Sequence, residues 1–245
     1  MLQCCPNGTR SAVDHPAVPL SADQISRTAT EVVELGVRSL HLHPRDVRGM
    51  ETLDGSDVAA TVAAVRSVVP GVEIGVSTGA WIQPDPERRR DIVSAWAGLA
   101  AGRPDLASVN VHEEGWAAVC AALHAAGVGI ELGVFHRRAA EVLRATGIPP
   151  GTVRVLAEVQ DDGTATDLLD ALAWTPVPLL LHGQNANTWS VLRHALAHGL
   201  DTRIGLEDTL HLPDGTRAGS NAELVRHAQT IGAGFIAPRG HSSPG

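Results

Sequence analysis

A (β/α)8 barrel is the fold class this sequence predicts, on three observations. Short β-rich runs and Ala-rich helical stretches alternate eight times along the chain. Strands alternating with helices build parallel βαβ units. The 245 residues carry no linker or low-complexity break before the tail, which suits one barrel. Strands are expected near 2–5, 37–43, 72–77, 106–111, 129–134, 152–158, 178–182 and 202–207. Helices are expected over 21–35, 56–69, 86–100, 114–126, 137–146, 164–173, 187–198 and 219–231. Ser21, Asp54 or Ser56, and Ser220-Asn221 supply helix caps. An open doubly wound sheet is the alternative, but no G-x-G-x-x-G follows the first strand. One domain over 1–237 is expected, with 238–245 as a disordered tail.

Composition narrows the partners. With 44% hydrophobic and 19% charged residues the chain can bury a large core. A formal charge of −8 argues against nucleic acid or an anionic membrane as main partner. The three cysteines, Cys4, Cys5 and Cys120, form no disulfide framework and no C-x-x-C. With no signal pattern at the N-terminus and no membrane-length apolar run, a cytoplasmic location is expected. All 19 basic residues are arginine, since the sequence contains no lysine. Schiff-base chemistry through lysine is therefore excluded, which leaves a metal as the natural electrophile.

Functional side chains of such a barrel cluster at the C-terminal ends of its strands. Period-2 alternation assigns their faces. Leu40 and Leu42 face the helices, so Ser39, His41 and His43 face inward. The same rule turns inward Gly75, Ser77, Ser108, Asn110, Glu131, Gly133, Glu158 and His182. On the eighth strand it selects Arg203, Gly205 and Glu207. Barrel interiors are normally Val, Ile and Leu; a polar upper layer asks for a function.

His41-x-His43 is the strongest local signal. Two imidazoles two apart on a strand point the same way, as ligands of one tetrahedral zinc must. The same spacing also fits a pair of buried, hydrogen-bonded histidines. Glu207, at the matching level of the eighth strand, completes two imidazoles and a carboxylate with positions open to substrate. Gly205 leaves space beside it, and Arg203 is a cation further down. The bland alternative is an Arg203–Glu207 ion pair closing the barrel. Ser77-Thr78-Gly79 ends an apolar strand, where hydroxyls and backbone N–H groups could hold a carboxylate or phosphate. His124, His194, His198 and His227 read as surface or packing residues, and Arg88-Arg89-Arg90 as a solvated helix face.

These motifs, in this order, resemble the beta-keto acid cleavage enzymes. The matching pieces are Asn7-Gly8, His41-Leu-His-Pro-Arg-Asp46, Val76-Ser-Thr-Gly79 and Ala107-Ser-Val-Asn110. They continue with Glu131-Leu-Gly-Val-Phe135, Arg203-Ile-Gly-Leu-Glu-Asp208 and Ser220-Asn-Ala-Glu-Leu224. The resemblance spans roughly residues 2–232. It implies a zinc-dependent barrel, a homo-oligomer, that reacts a β-keto acid with acetyl-CoA to give acetoacetate and a new CoA thioester. It makes His41, His43 and Glu207 zinc ligands, and Arg203 with Asp208 the proton-abstracting pair, with Glu131 a further catalytic candidate. Ser77, Thr78, Gly79, Asn110 and Asn7 become candidate substrate-binding residues. Asp208 is expected to turn off the strand end and be carried over the substrate by the following loop. Two departures stand out. Many relatives carry Glu at both alternate positions of the fifth strand, whereas this chain has Glu131 and Gly133, and no recognisable CoA-binding loop is present.

Two other readings compete. Zinc hydrolases of the amidohydrolase type also use H-x-H, though on the first strand, and would turn over amides or esters without CoA. A metal-binding relative that has lost turnover would show no reaction with acetyl-CoA, and Gly133 is the feature favouring it.

Overall fold

The computed structural model describes residues 1–160 and 164–234. Eight parallel strands alternate with eight helices, as the patterning predicts. The strands are β1 (Leu2–Cys4), β2 (Ser39–Leu42), β3 (Glu73–Ser77), β4 (Leu106–Asn110), β5 (Gly129–Val134), β6 (Thr152–Val159), β7 (Leu179–Gly183) and β8 (Thr202–Ile204). The helices are α1 (Ala22–Glu34), α2 (Gly55–Val68), α3 (Pro86–Ser94), α4 (Trp116–Ala125), α5 (Arg137–Thr146), α6 (Ala165–Leu172), α7 (Thr188–Ala197) and α8 (Asn221–Thr230).

The strand order is β7-β6-β5-β4-β3-β2-β1-β8, and the β7–β8 seam closes through a bridge between Leu180 and Asp201. Leu181 N–H donates to Asp201 O at 2.9 Å across that seam, and Thr202 Oγ1 donates to Leu181 O at 2.8 Å. Outward residues such as Leu40, Leu42, Ile74, Val76, Ile130 and Leu132 are wholly buried under the helices. Each contributes about 1.5–3 kcal/mol of burial, and this shell between strands and helices is the main core. Caps fall where the sequence places them. Ser21 and Gln24 form a reciprocal capping box, and Asp54 and Ser220 accept N–H bonds from Ser56 and Glu223.

The last strand is shorter than expected. β8 stops at Ile204, and Gly205–Asp208 is a tight turn in which Asp208 N–H and Thr209 N–H both donate to Gly205 O, at 2.9 and 3.1 Å. The cause is the end of β1. A Cβ on residue 205 would lie 1.9 Å from Cys5 O, so glycine lets the Cys5 backbone press against the turn. It does not open a space above. Arg89 also departs from its expected solvated position: it is buried, and its guanidinium donates to Gln83 O at 2.9 Å and to Glu114 O. Among the described residues, no helix is long and apolar enough to cross a membrane. The cysteines are buried thiols. The expected tail, 238–245, lies outside the described residues.

Candidate metal centre and active-site cavity

β2 delivers the first two functional side chains. His41 and His43 share its inward face, and their Nε2 atoms lie 3.1 Å apart. Glu207 reaches the same point from the turn after β8, with Oε2 3.5 Å from His43 Nε2. One ligand atom from each of the three residues falls within 4.8 Å of the others. Gly8 makes this approach possible. It holds φ +55°, and a Cβ there would lie 2.5 Å from Glu207 Cγ.

Several neighbours fix the histidines. His43 Nδ1 donates to Glu51 Oε1 at 2.5 Å, which fixes the ring with Nε2 aimed at the cluster. Trp81 Nε1 donates to the same oxygen at 3.2 Å, and its indole stacks on His43 with ring centroids 6.2 Å apart. Asn7 clamps the end of β2: its Nδ2 donates to His43 O at 2.8 Å, and its Oδ1 accepts His43 N–H at 3.0 Å. Arg45 donates to Gly8 O at 2.6 Å and Arg10 O at 2.9 Å, tying the β1 loop to the β2 loop.

The electrostatics follow from burial and from two carboxylates. Burial pushes the His41 imidazole down to about 4. Burial also pulls on His43, but Glu207 and Glu51 outweigh it and raise the group to about 9. Burial alone would raise Glu207; Arg203, His43 and His41 hold it well below the usual carboxylate range. Its Oε2 is buried without a hydrogen-bond partner. An ionised oxygen left bare beside two converging imidazole nitrogens is a donor set that could hold a divalent metal.

Behind Glu207 lies a second polar cluster. Arg203 Nη2 reaches Glu207 Oε1 at 2.9 Å and Asp208 Oδ1 at 2.8 Å, and Nε donates to Asp208 Oδ1 at 3.0 Å. Arg203 Nε also donates to His182 Nδ1 at 3.1 Å, and His182 Nε2 faces Glu158 Oε2 at 3.3 Å. Burial works against the charge on Arg203, but Asp208, Glu207 and Glu158 hold it firmly protonated.

The cluster opens into a cavity of about 630 Å³ at the C-terminal ends of the strands. His41, His43, Glu207, Arg203, Ser77 and Asn110 line it, as the alternation predicts. The other candidate residues sit elsewhere. Asp208 is wholly buried behind Arg203 rather than carried over the cavity, because the tight turn from Gly205 folds it inward. Glu131 lies a layer below, paired with Arg154 and accepting from Gln3 Nε2 at 3.3 Å. Thr78 donates its hydroxyl to Ser108 O at 2.6 Å. Gly79 makes room for an indole: a Cβ would meet the Trp81 ring at 2.2 Å. Asn7 holds β2, as above.

Sequence reasoning gave no site role to other cavity-lining groups: Arg10, Trp81, Gln160 and Asn185, together with Phe135, quoted only as part of a motif, and Glu158, turned inward but left unassigned. Only Glu158 carried a readable signal, its inward place on β6. Glu51 comes to His43 through a bridge between Arg45 and Glu51, which no strand pattern announces.

Comparison with known proteins supplies the family and the fold. The family model described as beta-keto acid cleavage enzyme matches residues 1–237. The 3-keto-5-aminohexanoate cleavage enzyme of Fusobacterium nucleatum subsp. nucleatum is 26% identical over 246 residues, covering 91% of this chain and 89% of that enzyme. ObcA in binary complex with oxaloacetate superposes with a TM-score of 0.66 at 17% identity, and this chain spans 63% of its length. The ternary complex of ObcA with a C4-CoA adduct and oxalate gives 0.63 at 17% identity, with 88% of this chain and 63% of that one covered. A type I 3-dehydroquinate dehydratase from Clostridium difficile gives 0.63 at 11% identity, over 94% of this chain and 91% of that one. At such identities the solved structures speak for the barrel alone. The family match covers nearly the whole sequence, and the chain belongs to the beta-keto acid cleavage enzyme family.

Proposed function

We propose that this chain cleaves a β-keto acid with acetyl-CoA as acyl acceptor, using a zinc ion held by His41, His43 and Glu207, and releases acetoacetate and the CoA thioester of the remaining fragment. The observation that carries the metal is the convergence of the two Nε2 atoms, 3.1 Å apart, beside the partnerless Glu207 Oε2. Two imidazoles and one carboxylate suit zinc, and the side facing the cavity is free for substrate. When bound there, zinc would supply Lewis acidity toward the 3-oxo oxygen and so acidify the neighbouring carbon. Membership of the family supports the β-keto acid. ObcA, with oxaloacetate in one complex and a C4-CoA adduct in another, supports a keto acid and a CoA thioester as the reacting pair.

The chain's own residues divide the remaining work. Ser77 and Asn110 face the cavity and orient the substrate's polar end. Arg203 presents its guanidinium to the same space, where it can meet a carboxylate. Asp208 is the proposed proton acceptor. It is buried, its Oδ2 has no partner, and Arg203 holds its other oxygen. Because Arg203 stands between Asp208 and the cavity, the two act as a pair: the guanidinium must shift for Oδ2 to reach a substrate proton. Glu131, neutralised by Arg154 in the layer below, takes no part.

A screen of β-keto acids with acetyl-CoA on zinc-loaded protein tests the reading directly, with detection of acetoacetate and the new thioester. Turnover of esters or amides without CoA would favour a hydrolase instead. Borohydride should leave activity intact in the presence of substrate, because no lysine is available to form an imine.

A further inference from the structure

The cavity wall across from the metal cluster differs in character from the rest. The cluster stands on β2 and on the turn after β8, so the closed barrel sets β4, β5 and β6 on the far side. Asn110, Gly133 and Leu156 sit side by side there, in register on those three strands, and Phe135 follows the end of β5. A β-keto acid with its oxo group at the cluster and its carboxylate at Arg203 has both polar anchors on one side. Its remaining chain then runs toward this wall.

Three observations say what the wall accepts. First, it carries apolar side chains that the core does not use. Leu156 is 3% exposed and Phe135 half-buried, yet neither belongs to the aliphatic shell between strands and helices; both line the cavity instead. Phe135 rests against the His112 ring, with centroids 4.8 Å apart. Second, Gly133 lets its neighbours close over it. A Cβ there would lie 2.3 Å from Asn110 Oδ1 and 3.3 Å from Phe135 Cε1. Asn110 Nδ2 donates to Glu113 Oε1 at 2.9 Å, so the amide oxygen is the atom turned toward Gly133, and the polar part of the cavity stops there. Third, no charge beside this wall is open. Glu158, two residues on from Leu156, has Oε1 held by Gln160 Nε2, while Oε2 faces His182 Nε2 at 3.3 Å and Arg203 Nη2 at 3.9 Å. It has no uncommitted oxygen for an ammonium. A second carboxylate would meet Asn110 Oδ1 and Glu158 with Arg203 already taken by the first. A charge brought to this wall loses water without gaining a partner.

We infer that the β-keto acid taken by this chain ends in an uncharged hydrocarbon group, seated on Phe135 and Leu156 over Gly133, and that these two side chains set its specificity. The inference rests on the reading above for the oxo acid end of the substrate.

End group and reaction are tested separately on the zinc-loaded full chain. Calorimetry compares three unreactive 3-hydroxy acids of similar length: 3-hydroxyheptanoate, 6-amino-3-hydroxyhexanoate and 3-hydroxyadipate. The methyl-ended acid should bind about 100-fold tighter than either charged one, the scale of an unpaired charge against an apolar wall. Phe135→Ala should weaken it about tenfold while changing the charged pair by about twofold at most, and Phe135→Leu should recover most of the loss. Turnover of 3-oxoheptanoate with acetyl-CoA is measured alongside. Equal binding of the three acids, tighter binding of a charged one, or binding of none would overturn the inference, whether or not turnover is seen. Unchanged 3-hydroxyheptanoate binding in Phe135→Ala would overturn the assignment of the wall. The expected ranking in a protein that does not turn over 3-oxoheptanoate with acetyl-CoA would overturn the reaction and keep the apolar wall.

Discussion

Glu51 offers a graded test of the metal centre, because it touches a proposed ligand without being one. Its Oε1 lies 2.5 Å from His43 Nδ1 and 3.2 Å from Trp81 Nε1, on a side chain only 12% exposed. Accepting the Nδ1 proton keeps the Nε2 lone pair pointed at His41 and Glu207. Glu51→Gln preserves an acceptor and removes its charge. A hydrogen bond to a charged partner contributes about 1.5–3 kcal/mol and a neutral one about 0.5–1.5, so the change loses about 1–1.5 kcal/mol. At about 1.4 kcal/mol per factor of ten, zinc affinity should fall about tenfold. Glu51→Ala removes the acceptor altogether and should cost about 100-fold, the upper end for such outer partners. Competition against a chromogenic chelator measures both. The pH dependence adds a signed check. His43 sits at about 9 in the metal-free protein, partly through Glu51, so below that pH a proton competes with zinc for its Nε2. Removing Glu51 lowers this pKa and relieves the competition, so the deficit of both variants should shrink as pH falls from 9 toward 7. Affinities within about twofold of the unaltered protein for both variants would refute the placement of His43 as a Glu51-oriented ligand.

Further predictions address neighbouring residues. Glu207→Ala should lose zinc and turnover together, with bound metal falling to about a tenth of an equivalent or less by elemental analysis. Asp208→Asn should keep zinc and fold but lose about 10²-fold or more in kcat, the scale of a general base; near-normal kcat would make Asp208 a positioning residue for Arg203. Glu131 reports on the barrel floor. Burial would raise its pKa, but Arg154 holds it below the ordinary 4.5, so its stabilising contribution is present above that value and is lost as pH falls through the depressed one. Urea unfolding across acid pH should therefore show a shallower loss of stability in Glu131→Gln than in the unaltered protein, and an identical slope would count against that pairing.

Much of the fold was legible because its determinants are local. Alternation on β2 turns His41 and His43 inward whatever surrounds them, and the caps at Ser21 and Ser220 act within one helical turn. The missed parts depend on long-range packing. β8 was expected to reach residue 207, because Arg203-Ile-Gly-Leu-Glu207 alternates like a strand. What ends it is the backbone of Cys5, some 200 positions earlier, pressed against Gly205. Glu207 still arrives beside the histidines, through a turn instead of a strand, and the same turn buries Asp208. The sequence offered no sign of Glu51 or Arg10, since each comes to the site on a loop whose path is set by Arg45 and Asn185.

Polarity alone does not separate the site from the rest of this barrel. The lower interior layer is as charged as the upper: Arg154 joins Glu131 and Glu73, and Ser39 donates to Glu73 at 2.6 Å. Yet none of those side chains has a buried polar atom without a partner. Every charge there is met by another, which is how a buried ionic layer avoids the cost of desolvation. In the upper layer Glu207 Oε2 and Asp208 Oδ2 are buried and unpartnered, while His182 Nε2 faces the Glu158 carboxylate at 3.3 Å. A bare buried acceptor costs about 1–3 kcal/mol, more when charged, and two in one cluster is a burden a purely structural layer would have shed. The two atoms left open belong to the proposed metal ligand and the proposed base. Of these only Glu207 lines the cavity, and loading zinc there should raise the unfolding temperature far more in the unaltered protein than in Glu207→Ala.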